Sequence, residues 1–383
     1  MHFVLYIPTQ VIFGQLADDS LAAQLRAAQK QRILLVSDPL LIELPWARQI
    51  CSTLNDSGCD VIPYTRVSSN PDVQEVHQGL QLAQEEGVQA VVALGGGSVI
   101  DIAKAIAMLL TNGGSYSDYL SGNRQVQRRS CFLVALPTTA GTGSEVTRSC
   151  SILDGARATY KTVSSPLMFP HVALVNPALT FSLPPLFTAA TGITAMSQAL
   201  EAYVARQANP FVDPLAVAAI QTIWHYLPRA LADGNDASAR QAMMLAALWA
   251  GWCRDQCGGG LVDALSIPLR LHLHLHNGIA NALVLPHVLR FNLPAIPSVK
   301  RQRLNNALGL APDAPGEQLV ERVAQFVRYL GLPTRLKELD AVVADYDWHS
   351  FAHEAMQVES VANNPREVSV EDCRDVILAS LLS

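Results

Sequence analysis

The apolar run Val88-Gln-Ala-Val-Val-Ala-Leu94 ends in three consecutive glycines, Gly95, Gly96 and Gly97, followed by Ser98. A helical spacing of apolar residues begins at once, with Val99, Ile102, Ala103, Ala105 and Ile106 on one face. A buried strand that turns directly into a helix is the joint of an α/β sheet. The glycines let the backbone turn sharply and approach a ligand with no Cβ in the way. The first N–H groups of the helix then point at whatever sits there, and the helix dipole favours an anion. The stretch reads as a phosphate cradle, although its spacing is not the G-x-G-x-x-G fingerprint of a standard dinucleotide fold.

A second stretch strengthens that reading. Leu136-Pro137-Thr138-Thr139-Ala140-Gly141-Thr142-Gly143-Ser144-Glu145 also follows an apolar strand, residues 131–136, and is dense in hydroxyls and glycine. Loops at the carboxyl ends of neighbouring strands are where an open α/β sheet binds its ligand. Around them the chain alternates: a strand at 33–37, a helix at 40–54, strands at 61–64 and 89–94, and helices at 72–86 and 98–110. That order predicts a parallel sheet with helices on both faces. Residues 1–15 read as an edge hairpin closed by Gly14. Beyond Ser182-Leu-Pro184-Pro185 the pattern changes to long apolar helical segments at 187–205, 214–232, 237–257, after Asn281, and at 316–330 and 366–381. The predicted domains are 1–182, α/β, and 183–383, all-helical.

Composition narrows the function classes. Of 383 residues half are hydrophobic and 16% charged, so the chain buries a large core and is not disordered. A net charge of −6 gives no basic footprint for nucleic acid. No apolar run is long enough to span a bilayer, and the N-terminus lacks a basic n-region and a small-residue cleavage site. Seven scattered cysteines fit reduced thiols in the cytoplasm, where the protein is expected to reside.

Motifs along the whole chain resemble one family, the iron-containing (group III) alcohol dehydrogenases. They are Ser37-Asp38-Pro39, Asn70-Pro71, the 95–104 stretch, Pro137 to Glu145, Lys161 through Ser165-Pro166-Leu167, and Pro177-Ala-Leu179-Thr180. They continue in Thr188-Ala-Ala-Thr-Gly192, Glu201-Ala-Tyr203, Gly278-Ile-Ala-Asn281, Leu285-Pro286-His287 and Asn364-Pro365-Arg366. The resemblance implies an N-terminal Rossmann-like dinucleotide-binding domain and an all-α C-terminal domain, the group III alcohol dehydrogenase or dehydroquinate synthase-like fold, with the active site in the cleft between them. It implies NAD as cofactor, a small alcohol, aldehyde or polyol as substrate, and a homodimer or larger homo-oligomer. Gly95, Gly96, Gly97 and Ser98 would hold the pyrophosphate, Thr138, Thr139 and Thr142 the phosphate or ribose, and Leu179 the nicotinamide side. Asn70, Asp101 and Lys161 fall in the same cofactor set. Asp38 would accept from the ribose hydroxyls and repel a 2′-phosphate, favouring NAD over NADP; it would equally well just start a turn before Pro39.

The resemblance also implies a divalent metal, iron or zinc, and here the sequence departs. The four ligand positions carry Thr194, Gln198, Asp263 and Asn277, and a family histidine that relays protons corresponds to Ile267. Neutral oxygens suit a hard cation if any, not the imidazole-rich site that iron or zinc prefers. Leu271-His272-Leu-His274-Leu-His276 offers a displaced site in which His272 and His276 join Asp263, or is simply a half-buried surface. Cys253 and Cys257 read as helix-core thiols, and His287 as a residue ordering a helix start. Three functional readings stay open: a metal-assisted NAD-linked dehydrogenase, a metal-free one with Asp263 or His276 as general acid, and a catalytically silent NAD(H)-binding homologue serving as partner subunit or sensor.

Overall fold

The computed structural model describes residues 3–15, 19–155, 159–339 and 347–382. By internal contacts the chain divides into two units. One is Tyr6–Thr139 with Gly143–Phe181; the other runs from Ser182 onward and includes Ala140–Thr142 and the segment ending at Leu5. The sequence division at 182/183 lies one residue from this one and differs in those two short segments.

The first unit is built on β1 (Gln10–Phe13), α1 (Ser20–Ala27), β2 (Arg32–Ser37), α2 (Pro45–Asp56), β3 (Asp60–Tyr64), α3 (Val73–Glu85), β4 (Ala90–Gly95), α4 (Gly97–Asn112), α5 (Tyr116–Leu120), β5 (Phe132–Pro137), β6 (Ser149–Asp154), β7 (Thr159–Ser164) and β8 (Val172–Val175). Six strands form one sheet in the order β1-β8-β5-β4-β2-β3, all neighbours parallel. The central strands bury both faces, which is why they read as unbroken apolar runs. Alternation by two sorts their side chains into separate cores. Leu34, Val36, Val91, Ala93, Leu133 and Ala135 pack with α3 and α4. Ile33, Leu35, Ala90, Val92, Leu94, Val134 and Leu136 pack with α1 and α2.

Three local expectations are corrected. The N-terminal strand is an edge strand but no hairpin: β1 pairs parallel with β8, Gln10 opposite Val172. The helix expected over 40–54 is broken, because Leu44 precedes Pro45 and is extended (ψ 144°), so a short 3-10 turn, Leu41–Glu43, comes before α2. The region 146–181, which sequence periodicity left unassigned, holds the antiparallel β6–β7 hairpin and β8.

The second unit comprises α6 (Pro185–Val204), α7 (Val212–Ala232), α8 (Ala237–Cys257), α9 (Leu261–Leu273), α10 (Asn277–Asn292), α11 (Ser298–Ala307), α12 (Gly316–Tyr329), α13 (Trp348–Met356) and α14 (Val370–Leu382). It is all-helical among the described residues. α6, α7 and α8 pack on one another, and α10 lies against α6 and α9. Gly278 fixes the α6–α10 approach: a Cβ there would lie 1.9 Å from the Ala190 carbonyl oxygen, so the two backbones touch. The α8–α9 turn is tied by Asn363, whose side-chain amide donates to the Cys257 and Gly259 carbonyls at 2.6 and 2.8 Å. The Cys257 carbonyl is one that the end of α8 leaves without a partner, and Gly259 lies in the turn beyond it. Asn292 and Asn364 exchange reciprocal amide hydrogen bonds at 3.0 and 2.8 Å. His287 orders no helix start; it lies buried inside α10 with Nε2 3.4 Å from the Thr334 carbonyl. Cys253 and Cys257 are fully buried, as expected of core thiols.

Candidate active site

In the first unit the chain runs from β2 outward to β3, then returns to β4 and proceeds the other way to β5. β2 and β4 are neighbours in the sheet, Ser37 opposite Leu94, so the topological switch lies between their carboxyl ends. Asp38 leaves one of those ends and Gly95-Gly96-Gly97 the other. Gly96 is the N-cap of α4 and brings no side-chain cap, so the opening N–H groups of that helix are offered to a ligand. Thr138 and Thr139 close the next side: Thr138 N donates to the Gly95 carbonyl at 3.1 Å, and a Cβ on Gly96 would sit 3.3 Å from the Thr139 side chain. The glycines divide their work. Gly95 is required by packing, since its Cβ would lie 2.5 Å from Val99, whereas Gly96 faces the Thr139 loop.

Asp38 makes its own turn. Its Oδ1 accepts from Leu40 N and Leu41 N at 2.8 and 3.1 Å, which makes the turn. A carboxylate has a second oxygen, and that one keeps the ribose role open. Ser98 donates its hydroxyl to the Ser69 carbonyl at 3.3 Å, and Asn70 Oδ1 accepts from the Tyr160 hydroxyl at 2.7 Å. Lys161, on β7 opposite Ile152, follows Tyr160. Leu179 is buried in the same core cluster as Leu136 and Leu174. Thr142 belongs to the segment grouped with the helical unit, where a Cβ on Gly141 would lie 2.9 Å from Thr191 Cβ.

Asp101 joins an internal network. One oxygen accepts from the Ser144 hydroxyl and the other from Ser151 N at 3.0 Å. Beside it the fully buried Lys104 donates to Ser144 Oγ, Thr147 Oγ1 and the Ser149 carbonyl at 2.8, 2.7 and 2.9 Å. Both carboxylate oxygens serve this internal network, so Asp101 braces the 144–151 segment. Glu145 lies in that segment, 3% exposed, with burial pushing its pKa up to about 7 against the pull of its own backbone N–H and Lys104.

In the helical unit Thr194, Gln198 and Glu201 follow one another at one-turn spacing along α6. Thr194 donates back to the Ala190 carbonyl at 3.1 Å, the oxygen that Gly278 crowds. Gln198 is 8% exposed and its Oε1 has no hydrogen-bond partner. Asn277 is the first residue of α10. Asp263, in the first turn of α9, accepts from Arg254 Nη2 at 2.7 Å. Buried Glu201 accepts from Val262 N at 2.7 Å and so caps α9; burial, then the Asp263 charge, lift its pKa to about 8.

The histidine alternative is not assembled. His272, at the end of α9, pairs with Glu354 at 2.8 Å, and His274 is the left-handed C-cap residue with φ 52°. His276 caps α10, its Nδ1 accepting from Gly278 N at 3.2 Å, and its ring meets Phe187 edge-on. The three are therefore neither one strand face nor one helix face. Burial, then Arg270, lower the His276 pKa to about 4, so the ring is neutral near pH 7 and is no imidazolium acid. Among the described residues no three His, Cys, Asp or Glu side chains come together as a metal site. The four family-equivalent positions do not fit iron or zinc either. They offer a hydroxyl and two amides, one with an orphaned oxygen, and a carboxylate already neutralised by a guanidinium.

Sequence reasoning missed Arg254 and the clamping role of Glu201. The available signal was charge placement: a basic residue in the last turn of α8 and an acidic one in the first turn of α9, across three glycines.

Comparison with known proteins places this arrangement. Residues 8–177 match the family model described as iron-containing alcohol dehydrogenase, and residues 188–381 the model for the C-terminal part of that family. The chain is 33% identical over 384 residues to the NAD-dependent methanol dehydrogenase of Bacillus methanolicus, covering 98% of this chain and 99% of that protein. Its fold superposes on a 1,3-propanediol oxidoreductase with a TM-score of 0.93 at 28% identity, covering 100% of both chains. A sulfoacetaldehyde reductase from Bifidobacterium kashiwanohense, solved with NAD+, gives 0.89 at 26% identity, again covering 100% of both.

Proposed function

The chain belongs to the iron-containing alcohol dehydrogenase family and is an oxidoreductase of the alcohol dehydrogenase type; we propose that it moves hydride between a small alcohol or aldehyde and NAD without a bound iron or zinc ion. The observation that carries the cofactor half is the N-terminus of α4, capped only by Gly96 and set at the sheet's switch point beside Thr139. When bound there, NAD supplies the hydride acceptor at its nicotinamide ring.

The chain's own residues do the rest. The N–H groups that open α4 bind the pyrophosphate, and the helix dipole adds to the attraction. The Asp38 oxygen not used in its turn accepts from the ribose hydroxyls, and its charge disfavours a 2′-phosphate. The Asp101–Lys104 network holds Ser144 and Thr147 in place, which fixes the loop that follows Thr139. The reaction balances as alcohol plus NAD+ giving carbonyl compound, NADH and a proton. The donor set at Thr194, Gln198, Asp263 and Asn277 supports the metal-free half of the reading.

NADH titration followed by turnover on a panel of short alcohols and aldehydes, before and after dialysis against a strong chelator, tests this. Saturable NADH binding with unchanged turnover after dialysis is expected. Absence of NADH binding sinks the cofactor site. Turnover that disappears on dialysis and returns with iron or zinc sinks the metal-free reading. Asp38→Gly should narrow the preference for NAD over NADP; an unchanged ratio would remove Asp38 from the ribose site.

A further inference from the structure

α13 carries two histidines one turn apart, His349 and His353, both exposed, whereas Phe351, Ala352 and Ala355 of the same helix are buried. The four-residue spacing makes the two side chains neighbours. Their Nε2 atoms lie 3.1 Å apart, and the rings stand nearly perpendicular, at 87° with centroids 4.6 Å apart. Neither the cap of this helix nor its packing depends on that arrangement. Asp347 makes the cap, accepting from His349 N and Ser350 N at 3.1 and 3.2 Å. The contact with α9 is made by Glu354, which meets His272 Nε2 at 2.8 Å.

We propose that His349 and His353 form a bidentate site for a late first-row divalent ion, copper, nickel or zinc, completed by water, and that the ion staples α13. Imidazole nitrogens are donors that these ions favour. An ion about 2.0–2.1 Å from each of two nitrogens holds them about 2.9 Å apart at a right angle and about 3.4 Å apart at the tetrahedral angle. The observed 3.1 Å falls between the two, so the ion enters without moving the helix. The same separation serves a ring-to-ring hydrogen bond when no ion is bound. The donor ring has only to carry its proton on Nδ1 for both Nε2 atoms to face a cation. Two ligands one turn apart meet the ion together only while the helix is formed, so binding stabilises α13 by mass action. The site uses none of Thr194, Gln198, Asp263 or Asn277, and its ion is distinct from the one that the family's positions would hold.

The experiment compares the full-length, untagged parent with His349→Ala, His353→Ala and the double variant; both positions are exposed, so the substitutions leave the packing of Phe351 and Ala352 intact. Cu2+ is titrated with detection by electron paramagnetic resonance, and amide exchange over residues 348–356 is followed with Ni2+ and with Mg2+. The parent should bind one equivalent of Cu2+ whose signal carries the splitting of two nitrogens, and the double variant should lack it. Each single substitution should weaken that binding about 100-fold, as much as both together, because either one breaks the chelate. Ni2+ at ten times its Kd should slow exchange across α13 about tenfold in the parent and in none of the variants. Mg2+, which takes oxygen ligands, should leave exchange unchanged. A parent without that equivalent of Cu2+ overturns the assignment, as does a two-nitrogen signal that persists in the double variant. Small single losses that simply add, or equal protection by Mg2+, overturn it too.

Discussion

Glu145 makes the stability of the α/β unit depend on pH in a direction opposite to that of an ordinary paired carboxylate. It is 3% exposed, and burial raises its pKa from 4.5 to about 7, with only its own N–H and Lys104 pulling the other way. The folded state therefore holds this proton more tightly than the unfolded one. Between pH 4.5 and 7 the unfolded chain gives up the proton first, so stability falls as pH rises, and the full cost is present above pH 7. The difference between 7 and 4.5, at about 1.4 kcal/mol per pH unit, is worth about 3 kcal/mol. Glu145→Gln keeps the shape and removes the titration. Urea unfolding of both proteins from pH 4.5 to 8.5 should show the variant gaining on the parent by about 3 kcal/mol, nearly all of it by pH 7.5. Parallel curves would mean that the carboxylate is as well solvated folded as unfolded, and would refute the burial argument.

Three further outcomes follow from specific contacts. Gly97→Val places a branched side chain on the first turn of α4, where phosphate must approach, and should abolish NADH binding in a fluorescence titration; unchanged affinity would refute the cradle. Lys104→Met strips a fully buried charge from three hydrogen bonds and leaves Asp101 without its cation, which should cost about 3 kcal/mol in a denaturant melt. Adding Asp101→Asn should recover part of that cost, and simple additivity in the double-mutant cycle would show that the two do not interact. Gly278→Ala drives a Cβ into the Ala190 carbonyl and should cost about 3 kcal/mol, at the upper end for overpacking, with a matching fall in melting temperature; a wild-type melt would disprove the backbone contact.

The sheet was legible because its central strands are buried on both faces and say so in unbroken apolar runs, as in Ala90–Gly95. The β6–β7 pairing was overlooked although its signal is present: Ser149–Asp154 is short and only weakly apolar, but it runs into Asp154-Gly155, a hairpin dipeptide. α9 was hidden by its own ends: three glycines before it and alternating His and Leu after it mimic a loop and a strand. At the site, sequence named the glycine turn correctly as a strand-to-helix joint but not the internal network that Asp101 enters. The network depends on partners 43 and 50 residues away, Ser144 and Ser151, and no local spacing records that. Arg254 was overlooked for the same reason, because its meaning comes from Asp263 across a glycine turn.

The helical half shows why overall similarity and site chemistry separate so cleanly. What holds its helices in place lies elsewhere: Gly278 against the Ala190 carbonyl, Glu201 on the Val262 N–H, Asn363 on the Cys257 and Gly259 carbonyls, and Asn292 against Asn364. None of these ties uses the side chains of Thr194, Gln198, Asp263 or Asn277. The frame therefore gives a TM-score of 0.93 to a 1,3-propanediol oxidoreductase whatever those four positions carry. A hydroxyl that bonds back to its own helix, as Thr194 does, leaves that frame unaltered. The frame predicts the fold, the cradle at α4 predicts the cofactor, and the charge at the α8–α9 junction has to be read from its own residues. There the carboxylate of Asp263 is already paired with Arg254, which is why turnover after chelation, and not resemblance, decides whether a metal polarises the substrate.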